Sequence, residues 1–272
     1  MDGQEIIETE SEKLLGIVVN NSLTWKNHLY GDTENEGLVQ QLAKRIGMLK
    51  MMSKQMERKN LAFFTSGMFY SKLNYCLPVY GNVLGLENYK EENCRYQSFT
   101  AKDNNRLQVL QNKVNRLLTN AKYDTPTENL LKETNSLSVQ QMIAYHSALL
   151  AYKVVKSGKP SYIKERLNSK TCSMSLRGQS NGIIQRNYKL SISKEGFIYR
   201  GAALLNRLSE GLRNEEKLER FKIGLRKWVL ENIPIKPRAK FPKFEKRAVS
   251  KQATLVPRQN QHDIRGFRSI DK

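Results

Sequence analysis

Cysteine is scarce in this chain of 272 residues: Cys76, Cys94 and Cys172 are odd in number and far apart. That pattern suits reduced thiols and not a disulfide scaffold. Histidine is as rare, with His28, His146 and His262 standing singly, so the sequence offers no group with the close Cys and His spacing of a zinc site. Long hydrophobic runs are also missing. The most apolar stretch, Leu61 to Leu77, is broken by Thr65, Ser66, Ser71, Lys72 and Asn74, whereas a bilayer span needs roughly 20 apolar residues, so a soluble chain with no membrane partner is expected. The start of the chain carries Asp2, Glu5, Glu8, Glu10 and Glu12, the reverse of a basic, apolar signal peptide. Catalytic signatures are lacking too: no Gly-x-Ser-x-Gly elbow, no phosphate-binding Gly-x-x-x-x-Gly-Lys-Ser/Thr loop and no Asp-Asp pair for two-metal chemistry. No convergent nucleophile, base or metal cluster can be named, and no cofactor is expected in this chain.

Acidic residues are few against basic ones. The 26 Asp and Glu face 46 Lys and Arg, for a net charge of +20, well beyond what solubility requires. Residues 1–36 hold eight acids against Lys13 and Lys26, a net −6 that leaves +26 on the rest. The extreme is the stretch from Ile233 to Gln261, where Lys236, Arg238, Lys240, Lys243, Lys246, Arg247, Lys251 and Arg258 face Glu245 alone. Such a field favours a polyanionic partner, with nucleic acid the commonest, although an anionic membrane surface would also be attracted and solvated surface charge is the plain alternative.

With 39% hydrophobic residues the chain can fill a core, and the apolar spacing is mostly helical. Lys13 to Val19 and Ser22 to Trp25 read as two short strands about an Asn20-Asn21 turn. Leu38, Leu42, Ile46 and Leu49 form one helical stripe over Leu38 to Met52, with Lys44 and Arg45 off it. Arg58 to Cys76 is apolar around most of its circumference and reads as a central, buried helix stopped by Pro78. Residues 81–102 lack a period and read as a long connection. Asp103 is the expected cap of a helix with Leu107, Leu110, Val114, Leu117 and Leu118 as its stripe, flanked by a basic ridge of Arg106, Lys113 and Arg116. Capping boxes are expected at Thr125-Pro126-Thr127-Glu128 and Ser138-Val139-Gln140-Gln141, with Gly158 and Pro160 ending the second helix. Tyr188 to Ser193 alternates like a strand, Phe197 to Leu208 reads as a helix, and Asn214 is the expected cap of a last helix before Pro234. The prolines and cations beyond it predict a disordered basic tail.

Six blocks stand in order along the chain: Leu14-Leu15-Gly16-Ile17 followed by Leu23-Thr24-Trp25-Lys26-Asn27-His28, then Leu42 to Leu49, then Ser71-Lys72-Leu73-Asn74-Tyr75-Cys76-Leu77-Pro78-Val79-Tyr80-Gly81, then Leu107-Gln108-Val109-Leu110-Gln111-Asn112-Lys113. Tyr123-Asp124-Thr125-Pro126 with Leu130-Leu131-Lys132, and Phe197-Ile198-Tyr199-Arg200-Gly201-Ala202, complete the order. In this order the blocks resemble the C-terminal, post-catalytic part of a non-LTR retrotransposon reverse transcriptase of the jockey-like or LINE-like kind, and the Leu107 block is similar to that family's "L-Q-x-L-Q-N" signature. Tyr80 stands where the family usually has Trp or Phe, and Asp32 to Glu36 and the loop after Leu84 look like insertions.

The resemblance implies a palm, with its magnesium-binding aspartates, upstream of residue 1. The implied organisation is mainly α: an acidic disordered lead over 1–12, a primer-grip-like hairpin over 13–28, a thumb-like three-helix bundle over 29–122 and post-thumb helices over 123–166. A linker over 167–187, a strand and helices over 188–233 and a disordered basic tail over 234–272 follow. The expected function is non-catalytic binding of RNA and RNA–DNA hybrid beside the palm and fingers of a parent polymerase, in nucleus and cytoplasm. The residues expected at nucleic acid are Leu15, Gly16, Lys44, Arg45, Arg106, Lys113, Arg116, Lys236, Arg238, Lys240, Lys243, Lys246 and Arg247. The alternative is a domesticated or remnant helical interaction module whose charge serves solubility or an acidic protein.

Overall fold

The computed structural model describes residues 8–83, 98–167, 182–183 and 188–235. The tail residues Lys236, Arg238, Lys240, Lys243, Lys246 and Arg247, the lead over 1–7, most of the 81–102 connection and most of the 167–187 linker lie outside the described residues.

Helices dominate, fronted by one short hairpin. Strand β1 (Ser11–Leu14) pairs antiparallel with β2 (Ile17–Asn20), Leu14 opposite Ile17. The turn is therefore Leu15-Gly16, not Asn20-Asn21, and the run expected as one strand folds back on itself. A two-residue hairpin turn of this hand needs positive φ at both central residues; Leu15 has φ 49° and Gly16 φ 84°. Only this register puts Ile17 and Val18 into the core. Asn20 instead holds the residues after the hairpin, accepting from the Thr24 amide at 2.8 Å and donating to the Thr24 hydroxyl at 2.8 Å. Residues 22–25 are consequently not a strand, and helix α1 (Lys26–Tyr30) starts there. The acidic stretch after it closes as a turn: the Asp32 carboxylate accepts from the amides of Glu34 (3.0 Å) and Asn35 (2.6 Å) and from Ser11 Oγ (2.9 Å).

Three helices then pack on one another: α2 (Leu38–Met52), α3 (Arg58–Thr65) and α6 (Ala101–Thr119). The stripe of α2 is buried at Leu38, Leu42 and Leu49 as its spacing predicts. The helix expected over 58–76 is observed without a break over 58–74, with a π-helical turn in its middle and one buried face at Leu61, Phe69 and Leu73. Its chain runs as α3, a π-helical turn (Ser66–Tyr70) and α4 (Ser71–Asn74). Phe63 is 78% exposed, so its apolar circumference is not a buried one. Pro78 does not end a long helix. It sits in the first turn of the short α5 (Leu77–Tyr80), where its missing N–H costs nothing. At the start of α6 the cap is Thr100. Asp103 is the third residue of a reciprocal box, donating its amide to Thr100 Oγ1 at 3.2 Å while its carboxylate accepts from the Thr100 amide at 2.9 Å.

The second half is organised by α8 (Val139–Ser157), which contacts α5, α6, α11 (Phe197–Arg207) and α13 (Leu218–Asn232). Its Ser138 and Gln141 box forms as predicted, and Gly158 ends it with φ 73° before the short α9 (Ser161–Arg166). Small residues set the α8–α11 separation: a Cβ on Gly201 would stand 3.0 Å from that of Ala151. Tyr152 stacks on Phe221 of α13 with ring centroids 3.7 Å apart, and its hydroxyl donates to the Glu215 carbonyl at 2.5 Å. Three other expectations fail locally. The Thr125 to Glu128 box does not form: Pro126 takes the cap position itself, so helix α7 (Thr127–Glu133) begins one residue later than expected and Thr125 stands before the cap, while Thr127 Oγ1 accepts from Asn112 Nδ2 at 2.8 Å. The Tyr188 to Ser193 segment is not a strand and leads into the helical turn α10 (Ser191–Lys194). Asn214 closes α12 (Glu210–Asn214), and Lys217 precedes α13. One buried cluster joins Leu29, Leu42, Leu107, Ile143, Leu204 and Phe221, so the segments expected as 29–122, 123–166 and 188–233 share a core.

His28 lies in that core beside Tyr80, ring centroids 5.0 Å apart, with its Nδ1 accepting from the Val18 amide at 3.5 Å. Burial, with a smaller push from Lys72, lowers its pKa from the usual 6.5 to about 4. Below the unfolded value the unfolded chain binds more protons, so His28 favours folding fully above pH 6.5 and loses that contribution as pH falls through 4. Urea midpoints should fall over this window by about 3 kcal/mol in stability. His28→Gln should flatten most of the slope and leave the smaller part from His146, whose pKa burial and Lys153 also lower.

Candidate nucleic-acid interface

The hairpin turn faces a cleft of about 330 Å³ lined by Leu15, Gly16, Arg45, Ser71, Lys72 and Tyr75. Each wall has a local cause. The Tyr75 hydroxyl donates to the Leu15 carbonyl at 2.6 Å, which ties the turn to the chain just after α4. A Cβ on Gly16 would meet the Tyr75 ring at 3.6 Å, so the turn backbone lies close against that ring. Arg45, half-buried on α2, donates to the Met68 carbonyl within the π-helical turn and lines the cleft from that side. Lys72 follows one turn later on α4.

The electrostatics of this cleft are one-sided. The pKa of Lys72 is lowered first by burial, then by Arg45 and by Lys13; Arg45 and Lys72 line the cleft, and Lys13 stands outside its lining on β1, two residues before the turn. Among the described residues no carboxylate lines the cleft, and their ion pairs are Lys44 with Glu36 and Lys222 with Glu219, both at 2.7 Å and both elsewhere. The turn is also unusual in its residue. Leu15 is 84% exposed in a left-handed conformation that Asn or Gly adopts more cheaply, so neither core packing nor turn geometry accounts for a leucine there.

Of the residues the sequence singles out, the structure brings Leu15, Gly16 and Arg45 together. Lys44 turns away to Glu36. Arg106 and Lys113 lie exposed on α6 and do not line the cleft. Arg116 leaves their ridge: its Nε and Nη2 donate at 3.2 Å to the carbonyls of Lys122 and Thr125, and its guanidinium stands over the Tyr123 ring. That arginine closes the α6–α7 connection. Lys13, Ser71, Lys72 and Tyr75 are the members that sequence reasoning misses as site residues. The signal was present in two resemblance blocks, Leu14 to Ile17 and Ser71 to Gly81, whose contact across 60 residues no periodicity reveals.

The residues of the "L-Q-x-L-Q-N" block do not reach this cleft. Gln108 Oε1 accepts from the Val139 amide at 2.9 Å, and Gln111 Nε2 donates to the Leu137 carbonyl at 2.7 Å. They join α6 to the entrance of α8. A second hollow, of about 480 Å³, lies among Leu131, Lys132, Arg226, Leu230, Ile233 and Ile235, but Arg226 there already donates to the carbonyl and side chain of Asn135. No group of three His, Cys, Asp or Glu suited to a metal occurs among the described residues, and none of their helices is long and apolar enough to cross a membrane. Comparison with protein-family models, with curated proteins and with solved structures finds no match.

Two substitutions separate the parts of this cleft. Tyr75→Phe removes the bond to the Leu15 carbonyl and should cost about 1 kcal/mol locally, seen as faster amide exchange at Ile17 and Val18 with the helical melting midpoint nearly unchanged. Gly16→Val forces a β-branched residue to φ 84° and should cost about 1–3 kcal/mol, a loss shared by hairpin and melting transition.

Proposed function

We propose that this chain is a non-catalytic C-terminal portion of a retrotransposon RNA-directed DNA polymerase that binds RNA and template–primer duplex. The observation that carries this reading is the gathering of Lys13, Arg45 and Lys72 at the Leu15-Gly16 turn, with no carboxylate among the described residues that line the cleft. That turn is the element the resemblance assigns to the primer grip. A phosphate there would meet a backbone without a side chain at Gly16, the ammonium of Lys72, and the guanidinium nitrogens of Arg45 that Met68 does not use. Binding would release counterions, which makes affinity fall with salt.

Support also comes from the packing of α2, α3 and α6, which suits a thumb, and from the excess charge of +20. Catalysis belongs in this reading to the parent polymerase, whose palm holds the magnesium ions, and the isolated chain does not polymerise. The Lys-Pro-Arg-Ala-Lys and Glu-Lys-Arg runs after Ile235 suit import receptors, so the protein would occupy nucleus and cytoplasm. A domesticated interaction module would show none of the salt dependence.

Filter binding to an RNA–DNA hybrid across a salt series tests the proposal. Each phosphate contact contributes about 0.9 to the slope of log affinity against log salt on duplex. Removing Arg106 and Lys113 together should flatten the slope by up to about 2 units. Arg116→Ala should leave the slope in place and instead lower stability by about 1 kcal/mol through its lost carbonyl bonds. A salt-independent affinity would overturn the reading.

A further inference from the structure

Apolar side chains that the core does not use stand exposed at the corner where α2 gives way to α3. Met51 is 66% exposed and Phe63 78%, and Met48 and Phe64 are exposed with them. The buried stripe of α2 is complete in Leu38, Leu42 and Leu49. Met48 and Met51, three residues apart, share the side of that helix turned away from the stripe. At a rise of about 1.5 Å per residue, all four apolar residues lie within roughly 10 Å of the corner along their helices. Half of the chain's eight methionines, Met48, Met51, Met52 and Met56, fall in this stretch. Methionine is flexible and polarizable, and surfaces rich in it re-pack to fit a partner.

The corner is closed by its own bonds. The amides of Ser53, Lys54 and Gln55 donate to the carbonyls of Leu49, Met51 and Met52 at 2.9, 3.3 and 3.0 Å, and Ser53 Oγ donates to the Lys50 carbonyl at 2.8 Å. Cations surround the apolar group. Lys50, Lys54, Arg58 and Lys59 are exposed there against the single acid Glu57, and none of the four is in an ion pair among the described residues. Lys59 precedes Phe63 by about one helical turn, so ammonium and ring share a face of α3.

An apolar centre with a charged rim is the anatomy of a protein interface, and the sign of the rim selects the partner. A second copy is disfavoured, because a two-fold contact sets the same cations against each other. Bases are poorly served. The Phe63 and Phe64 rings meet edge to face at 88°, centroids 6.2 Å apart, which leaves no parallel pair to hold a base, and methionine has no flat face for stacking. A helix with carboxylates flanking a stripe of leucine or isoleucine meets both the apolar centre and the cationic rim.

We propose that the α2–α3 corner docks an acidic amphipathic helix of a protein partner, with Met48, Met51 and Phe63 against its apolar stripe and Lys50, Lys54 and Lys59 against its carboxylates. None of these residues lines the cleft at the hairpin turn, so the docked helix leaves that cleft free for nucleic acid.

Fluorescence anisotropy of the full chain with a labelled synthetic peptide of about 15 residues tests this. The peptide carries leucine along one helical stripe and glutamate elsewhere, and a second peptide has the same composition with its leucines off any stripe. The striped peptide should bind about tenfold more tightly than the other. Met51→Gln with Phe63→Gln should remove that advantage and leave the melting curve unchanged, since both side chains already face water. Lys54→Gln with Lys59→Gln should weaken binding and flatten its dependence on salt. Lys153→Gln with Lys227→Gln, the same loss of charge on α8 and α13, should leave it in place. Affinity for an RNA–DNA hybrid should be unaltered by Met51→Gln with Phe63→Gln. Equal binding of the two peptides would reduce the attraction to bulk charge and overturn the docking assignment, whatever becomes of the nucleic-acid reading. An advantage that survives Met51→Gln with Phe63→Gln would place the helix elsewhere and overturn it too. Without peptide binding, three further results would each give the corner to another occupant: hybrid affinity lost in that double variant, sedimentation with phosphatidylserine vesicles that the variant abolishes, or a dimer of the chain that the variant dissolves.

Discussion

A row of buried amides along α6 holds this fold together. Gln111, Asn112 and Asn115 are almost completely removed from water, and a buried amide left unpaired costs about 1–3 kcal/mol. Their partners come from three directions: Leu137 before α8, Thr127 at the start of α7, and the Tyr70 hydroxyl, which donates to Asn115 Oδ1 at 2.9 Å. Gln108 joins the row through Gln111 Oε1 and Asn112 Oδ1 and fixes the first amide of α8. Hydrophobic contact alone would let α6 slide by a turn against its neighbours, since leucine is much the same one turn on. The amides forbid it, because each shifted register leaves several polar atoms buried and unpaired. Everything packed on α8, including α11 and α13, inherits its position from that row.

The cleft at the hairpin obeys the opposite rule. The amide row meets its neighbours largely through paired polar atoms, although Asn115 Nδ2 is buried without a partner among the described residues, whereas here like charges are gathered with no acid in the lining. Such a surface opposes its own formation and persists because rigid neighbours hold it: Met68 fixes Arg45, and Tyr75 fixes the turn. An anion entering such a site would meet groups that need little reordering, which is how a small site gains affinity.

Much of the helical architecture was legible from spacing. The stripe Leu38, Leu42, Leu49 and the box at Ser138 with the Gly158 stop read correctly because each depends on a local pattern. The mainly α class with a leading hairpin came from the same signals. Errors arose where a distant partner decided the outcome. Asn20-Asn21 looked like the better turn, yet burial of Ile17 and Val18 chose Leu15-Gly16. Thr125 looked like a cap with Pro126 as the first helical residue, yet the helix starts at Thr127 and Pro126 takes the cap position, while the Thr127 hydroxyl is tied to Asn112 of α6. Asp103 was one box position late, since Thr100 and Asp103 cap each other and either reads as a start. For the site, Arg45 could be picked out as a cation off the stripe of α2, but Lys72 could not, because its neighbours arrive from β1 and α2.

The π-helical turn Ser66–Tyr70 governs how this chain tolerates change in length. Such a turn holds one residue more than the α-helix it interrupts. Losing a single residue between Ser66 and Tyr70 would let α3 run on into α4 as an unbroken α-helix, with no break in the chain. Because the wider turn absorbs the added residue, the chain beyond it keeps nearly the phase that an unbroken α-helix one residue shorter would give it. Lys72 and Tyr75 would stay on the face they now present, and the loss would be felt in the bulge itself, where Tyr70 meets Asn115. The turn is therefore the place in this helix where a change of one residue in length can be taken up, whereas the same deletion within α3 or α4 would rotate everything beyond it by about 100°.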